Sequence, residues 1–360
     1  MGFDDVYETG GSWANLGADT IYVDYLKKHG LKKSFFDYYY KLDAMPDVQR
    51  RFLAEASPLP EEHVLDSFIG RTAVDYIRQY DDDRPSYLFV GFQGPHEPWD
   101  PPEPYASMYD PDDMPDAIEE LPFGNWLPER SREYHRYAQY FQPDDKKKIK
   151  EVRAKYCGKI SLIDTKIGKL LKAYEDKNWL DNTVVIFVSD HGGALGDHNR
   201  ISKSMFFESM VKIPMSIRFP KNRYKGKVLD SLVETIDLYP TLLELGGCEK
   251  PRYNDGLSLL PLIKGDVNSL RDDVLSEAHA HSMIRTRDWK IVIDNRSGDS
   301  LQLFDLKNDP LEQYNLVGHP DYKEVEIRMR DRLLRKVMAN QQICDPRDPV
   351  FSAHVSVTDK

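Results

Sequence analysis

The stretch from residue 184 to residue 214, VVIFVSDHGGALGDHNRISKSMFFESMVKIP, constrains this chain more than any other. It opens with an apolar run, residues 184–188, whose length and β-branched content predict a strand buried on both faces of a parallel sheet. The run stops at Ser189-Asp190-His191-Gly192-Gly193. In open α/β sheets ligands sit beyond the carboxyl ends of strands, so Asp190 and His191 arrive where chemistry is usually done. The glycines allow a sharp turn and leave room beside those side chains. Gly196-Asp197-His198, Arg200, Lys203 and Glu208 follow within the same stretch. A carboxylate, imidazoles and an ammonium after a buried strand point to a site for a metal and an anionic group.

The rest of the chain is organised around such a strand. Residues 31–63 look irregular, and apolar residues from Leu65 to Ile77 recur at helical spacing. Residues 86–92, SYLFVGF, predict a second buried strand, which leads into a proline-rich loop with His96 at its root. Residues 110–143 show no clear period. Ile149, Val152, Tyr156, Ile160, Ile163, Ile167, Leu170 and Tyr174 form one stripe on a long helix over 144–177, with Asp144 or Asp145 as its N-cap. A short helix near 204–211, a strand over 214–219 and a helix capped by Asp237 and ending before Gly246 complete an α/β alternation. From about Lys264 the pattern changes to short strands over 274–278, 282–286, 289–293 and 301–306, then a helix over 322–340. The expected architecture is α/β: a mixed, mainly parallel sheet flanked by helices, with a smaller C-terminal antiparallel sheet. The expected division is 1–263 and 264–360.

Composition narrows the function classes. A chain of 360 residues, 40% hydrophobic, can bury a sizeable core. A formal charge of −11 argues against coating nucleic acid or an anionic membrane. No apolar run is long enough to span a bilayer, and the first residues carry no basic segment followed by an apolar core. Three scattered cysteines make no disulfide framework. His279-x-His281 would place two imidazoles on one strand face, without a third ligand nearby.

The motif Ser-Asp-His-Gly-Gly at 189–193, then Gly-Asp-His at 196–198, then Lys203 with Phe207-Glu208, resembles the metal-binding segment of the sulfatases, within the alkaline-phosphatase superfamily. Gly94-Pro95-His96-Glu97-Pro98-Trp99 resembles that family's substrate-side histidine loop, and residues 237–243 and 255–262 resemble its later segments. The resemblance implies metal-dependent hydrolysis of sulfate esters, of a sulfated small molecule or saccharide. It implies Asp190 and His191 on a divalent metal, calcium foremost, with magnesium or manganese as alternatives. It places His96 and Lys203 at the sulfate and leaving group, and His198 and Arg200 at the substrate or as shapers of the loop. Trp99 and Trp126 could line a sugar-sized cleft. Members of the family are often exported.

The departure is as informative. Sulfatases open with a strand ending in paired aspartates, then a Cys/Ser-x-Pro-x-Arg segment whose Cys or Ser becomes the formylglycine nucleophile. These 360 residues hold no such segment. Cys157 reads as a packing residue, and Cys344-Asp345-Pro346-Arg347-Asp348 has its arginine one position early. The expectation is therefore an N-terminally truncated sulfatase that turns over little by itself. The alternatives are a phosphodiesterase or phosphonate monoester hydrolase of the same superfamily, and an incompetent fragment that binds anions or a partner.

Overall fold

The computed structural model describes residues 3–119, 124–137, 146–203, 205–249 and 254–341. Residues Asp144, Asp145 and Cys344 lie outside them. The first helices are α1 (Ile21–Lys28), α2 (Lys32–Asp43), α3 (Asp47–Arg51) and α4 (Leu65–Gln79). Thr20 caps α1 by accepting from the Val23 amide at 3.2 Å. Tyr22, Leu26, Phe35, Tyr39 and Leu42 from α1 and α2 pack on Leu65, Phe68 and Ile69 of α4 in one buried cluster. The expectation of irregular structure over 31–63 is corrected here. Phe35, Tyr39 and Leu42 stand at helical spacing, and aromatic side chains of modest helix propensity hid the period.

Helix α5 (Glu129–Tyr137) precedes α6 (Lys146–Asp176), the long helix on which the molecule is assembled. Its buried face differs from the expected stripe. Ile149, Val152, Lys159, Leu162, Ile163, Lys166 and Ala173 are buried, whereas Ile160 is exposed. Two lysines thus lie on the packed side, their stems apolar and their ammonium tips paired. Lys166 Nζ meets Glu61, and Lys159 Nζ meets Asp100. At the α4 crossing a Cβ on Gly70 would stand 2.8 Å from Lys166 Cβ, so glycine sets how closely the helices approach.

Strand β1 (Val185–Val188) pairs antiparallel with β2 (Met215–Arg218), in register Val185 with Arg218 and Val188 with Met215. The short helix α7 (Glu208–Val211) lies between them. Burial of β1 on both faces is not met: Phe187 is 45% exposed. Nor do residues 86–92 join a ladder. Leu88, Val90 and Phe92 turn inward onto the helices, while Tyr87 and Phe89 face out, Phe89 with 72% of its surface exposed. The alternation of a strand is present, but no neighbouring strand among the described residues covers its outer face.

After α8 (Leu238–Leu245) and α9 (Leu260–Lys264) comes an antiparallel sheet in the order β3 (Asp273–Ala278), β4 (His281–Thr286), β5 (Trp289–Asp294), β6 (Ser300–Asp305), close to the expected spans. Helix α10 (Lys323–Gln341) covers one face, with Met329 and Leu333 packed on Ile284, Ile291 and Leu303. Asp237 precedes α8 but does not cap it with its side chain. Instead its buried carboxylate accepts from Leu257 N at 2.7 Å and Arg271 Nη2 at 2.6 Å. No helix among the described residues is long and apolar enough to cross a membrane.

Candidate active site

The chain leaves β1 at Ser189 and turns immediately. Gly192 is required there: its amide donates to Met210 O at 2.8 Å, and a Cβ would stand 2.0 Å from Ser209 O. The turn therefore presses against α7 and pushes Asp190 and His191 outward. Asp190 has 83% of its side chain exposed. His191 Nδ1 lies 2.8 Å from the Gly192 carbonyl, which can only accept, so Nδ1 carries the proton and Nε2 keeps its lone pair. That Nε2 accepts from Lys203 Nζ at 3.0 Å and stands 3.4 Å from Asp190 Oδ2. A carboxylate, an imidazole lone pair and an ammonium thus converge at the end of β1.

The loop after this turn is held in an unfavourable backbone conformation. Leu195, His198 and Asn199 all have positive φ, which costs a non-glycine residue about 1 kcal/mol or more. Arg153 of α6 offsets that cost with a set of hydrogen bonds, from Nε to Leu195 O at 2.9 Å and from Nη2 to Asp197 Oδ1 at 2.7 Å. Asp197 Oδ1 also takes the Ile118 amide at 2.8 Å. His198 and Arg200, expected at the substrate, are each 2% exposed. His198 stacks on Phe207 at 3.8 Å, and the Arg200 guanidinium lies over the same ring at 5.1 Å and donates to the His198 carbonyl. These contacts lie in the loop's own interior.

His96 sits on the other loop, about one-third exposed. Its Nδ1 donates to Glu97 O at 2.7 Å, again leaving Nε2 with a lone pair. Both loops lean on α6 through one apolar cluster of Trp99, Ile149, Val152 and Ile201. Trp99 is buried there, edge-on to Tyr156 at 5.9 Å, with its indole N–H on Arg51 O at 2.8 Å. It packs the loop and offers no face to a sugar. Burial raises the Tyr156 phenol pKa, with Cys157 and Asp190 adding to the shift, which sets the Asp190 charge within electrostatic reach of this cluster. Trp126 is partly exposed, edge-on to His319 at 4.5 Å.

Sequence reasoning passed over Arg153 and Lys159 because a charged residue on a helix reads as solvated. The available signal was their place on the packed face of α6. Glu208, at the start of α7, turned toward the C-terminal sheet. It takes Arg285 Nε and Nη2 at 3.0 and 3.1 Å and Lys290 Nζ at 2.8 Å. Burial would raise its pKa, but Lys290 and Arg285 outweigh that and hold it at about 2.

The donors present fit part of a metal site. Asp190 offers a hard oxygen and His191 the ligating tautomer, with its second nitrogen fixed by a backbone carbonyl. No group of three or more His, Cys, Asp or Glu is gathered as a metal site among the described residues. Of the two cysteines among the described residues, the Cys157 thiol is half-buried on α6, where burial pushes its pKa up, and Cys248 is exposed just after α8; neither stands in a Cys-x-Pro-x-Arg segment. His279 lies before β4 with φ of 54°, so it does not share a strand face with His281.

Comparison with known proteins identifies the family. The sulfatase family model matches residues 2–248, and the model of the C-terminal part of N-sulphoglucosamine sulphohydrolase matches residues 196–339. The chain belongs to the sulfatase family, within the alkaline phosphatase superfamily. It is 32% identical over 285 residues to an arylsulfatase of Clostridium perfringens, covering 77% of this chain and 58% of that protein. It is also 32% identical over 298 residues to a multifunctional alkaline phosphatase superfamily protein of Trinickia caryophylli, covering 74% of this chain and 58% of the other. Among solved structures, a phosphonate monoester hydrolase of Silicibacter pomeroyi superposes with a TM-score of 0.72 at 21% identity, over 89% of this chain and 68% of that one. The fold is thus the α/β fold of that superfamily, and the chain spans 58% of the length of the two curated relatives it matches here.

Proposed function

We propose that this protein serves the hydrolysis of sulfate esters at the end of β1. The observation that carries the reading is the convergence on His191 Nε2 of Lys203 Nζ, at 3.0 Å, and Asp190 Oδ2, at 3.4 Å. Asp190 and His191 would hold a divalent cation, calcium first and magnesium or manganese next, which when bound neutralises charge on sulfate oxygens. Lys203 would then turn from His191 to a sulfate oxygen. His96, with Nδ1 fixed, would meet the leaving-group oxygen through Nε2, where charge builds up. His198 and Arg200 support this reading as shapers of the loop.

The substrate is a sulfated sugar or small molecule. The match to the N-sulphoglucosamine sulphohydrolase model favours the sugar. The fold shared with the phosphonate monoester hydrolase of Silicibacter pomeroyi supports a second reading, a phosphonate or phosphodiester substrate. These 360 residues lack Cys/Ser-x-Pro-x-Arg, so by themselves they should turn over little or no sulfate ester. The division at 263 and 264 belongs to the same reading: it falls at the last residue of α9, and sheet pairing begins nine residues on, at Asp273.

The test is a Mn2+ titration of histidine-labelled protein. Paramagnetic broadening should strike His191 first and vanish in Asp190→Asn. Broadening unchanged in that variant, or 4-nitrophenyl sulfate turnover by the 360 residues that Asp190→Asn leaves intact, refutes the assignment.

A further inference from the structure

We propose that Lys159 is the positioning residue for His96, clamping the histidine loop to α6 from beneath; this rests on the reading of His96 as the leaving-group contact. Lys159 is buried, and its ammonium spends its donors on that loop: His96 O at 2.9 Å, Pro98 O at 3.0 Å and Asp100 Oδ1 at 3.3 Å. An ammonium has three N–H donors, so the set is complete and nothing is left over for solvent. The acceptors follow the loop residue by alternate residue, from His96 through Pro98 to Asp100. Two are main-chain carbonyls, which fixes the backbone path and with it the direction of the His96 side chain.

The surroundings explain why a lysine stands here. Gly158 lies directly under the loop, where a Cβ would be 2.3 Å from Tyr105 O, so helix and loop are in backbone contact. A proline-rich loop has few amides with which to hold itself, since proline supplies no N–H. Its carbonyls therefore need donors from elsewhere, and α6 supplies them. Lys155 Nζ donates to Ala106 O at 2.6 Å, and Lys159 Nζ donates to the pair nearest His96. Six residues earlier on the same helix Arg153 does the equivalent for the loop of Leu195 and Asp197. With a rise of about 1.5 Å per residue, the two clamps stand roughly 9 Å apart along a rigid element. One helix therefore fixes the spacing between the His96 loop and the loop that follows Asp190 and His191. That pre-organisation is what a charge-stabilising site requires.

The experiment compares Lys159→Met with Lys159→Arg in the full chain, labelled with 15N-histidine. The His96 ring signals are identified by their loss in His96→Gln. In the wild type, Nδ1–H···O=C should give widely separated Nδ1 and Nε2 shifts, the signature of one tautomer. Lys159→Met should merge them toward an averaged pair and speed amide exchange at His96, Trp99 and Asp100 by about tenfold or more. Exchange in β5 should not change. Lys159→Arg, which still donates to carbonyls, should restore the tautomer. Because Lys159→Met orphans Asp100, Lys159→Met with Asp100→Asn serves as the second variant and should free the loop equally. Retention of the single tautomer in both methionine variants overturns the proposal, as does faster exchange spread evenly over the whole chain. Titration of the wild type with inorganic sulfate separates this from the functional reading. If sulfate leaves His96 unmoved while Lys159→Met frees the loop, the clamp stands and the leaving-group role falls.

Discussion

Replacing Lys290 by Met tests how the C-terminal sheet is fastened to the segment around Phe206 and Glu208. Lys290 is fully buried on β5 and donates to Phe206 O at 2.7 Å, Glu312 Oε1 at 2.5 Å and Glu208 Oε1 at 2.8 Å. Methionine keeps most of the volume but removes the charge. Glu208 retains its two bonds from Arg285, whereas Glu312, only 3% exposed, keeps the Glu208 amide at 2.6 Å. Removing one partner of a buried pair costs about 3–5 kcal/mol. Glu312 has an escape: burial already pushes its pKa up against the pull of Lys290, and it can take a proton. Protonating an ordinary glutamate at pH 7 costs about 3.5 kcal/mol, which caps the loss near that figure. Urea unfolding at pH 7 should therefore show Lys290→Met less stable by about 3 kcal/mol. At pH 5 the same proton costs about 1 kcal/mol, so the deficit should shrink accordingly. Lys290→Met with Glu312→Leu should recover about 2 kcal/mol of the loss. A deficit below about 1 kcal/mol at pH 7, or one that does not change with pH, refutes the reasoning.

Other expectations follow from the same packing. Glu208 has its pKa depressed to about 2, so its contribution, about 3 kcal/mol, is present above the ordinary glutamate range and lost as pH falls through about 2. Unfolding midpoints between pH 5 and pH 2 should fall more steeply in wild type than in Glu208→Gln. Asp100 behaves oppositely. Burial raises it to about 6 despite Lys159, so its contribution is full below the ordinary aspartate range and fades as pH rises through about 6. Asp100→Asn should flatten stability between pH 4 and pH 7, as read by the same urea titration. Gly192→Ala brings a Cβ within 2.0 Å of Ser209 O, and Gly158→Ala one within 2.3 Å of Tyr105 O. Each should destabilise by about 1–3 kcal/mol, and only Gly192→Ala should weaken Mn2+ broadening of His191.

How much of this was legible in the chain depends on the range of the interaction. The turn at Ser189-Asp190-His191-Gly192, the four C-terminal strands and α6 are local matters of period and turn chemistry, and they stand where the sequence places them. Helices α1 and α2 were equally local but masked by aromatic residues. The pairing of β1 and the outer face of residues 86–92 depend on neighbouring strands, which no window along the chain can supply. Lys159 and Lys166 make the same point about the site. A lysine is an apolar stem with a charged tip, and nothing nearby in sequence decides whether that tip meets water or a carboxylate. Their partners, Asp100 and Glu61, lie 59 and 105 residues away. The residue types proposed for the chemistry were therefore written in two short stretches, around His96 and from Asp190 to Lys203. Which side chains hold them in place was decided only when distant segments closed on α6, because a buried charge finds its partner through space and not along the chain.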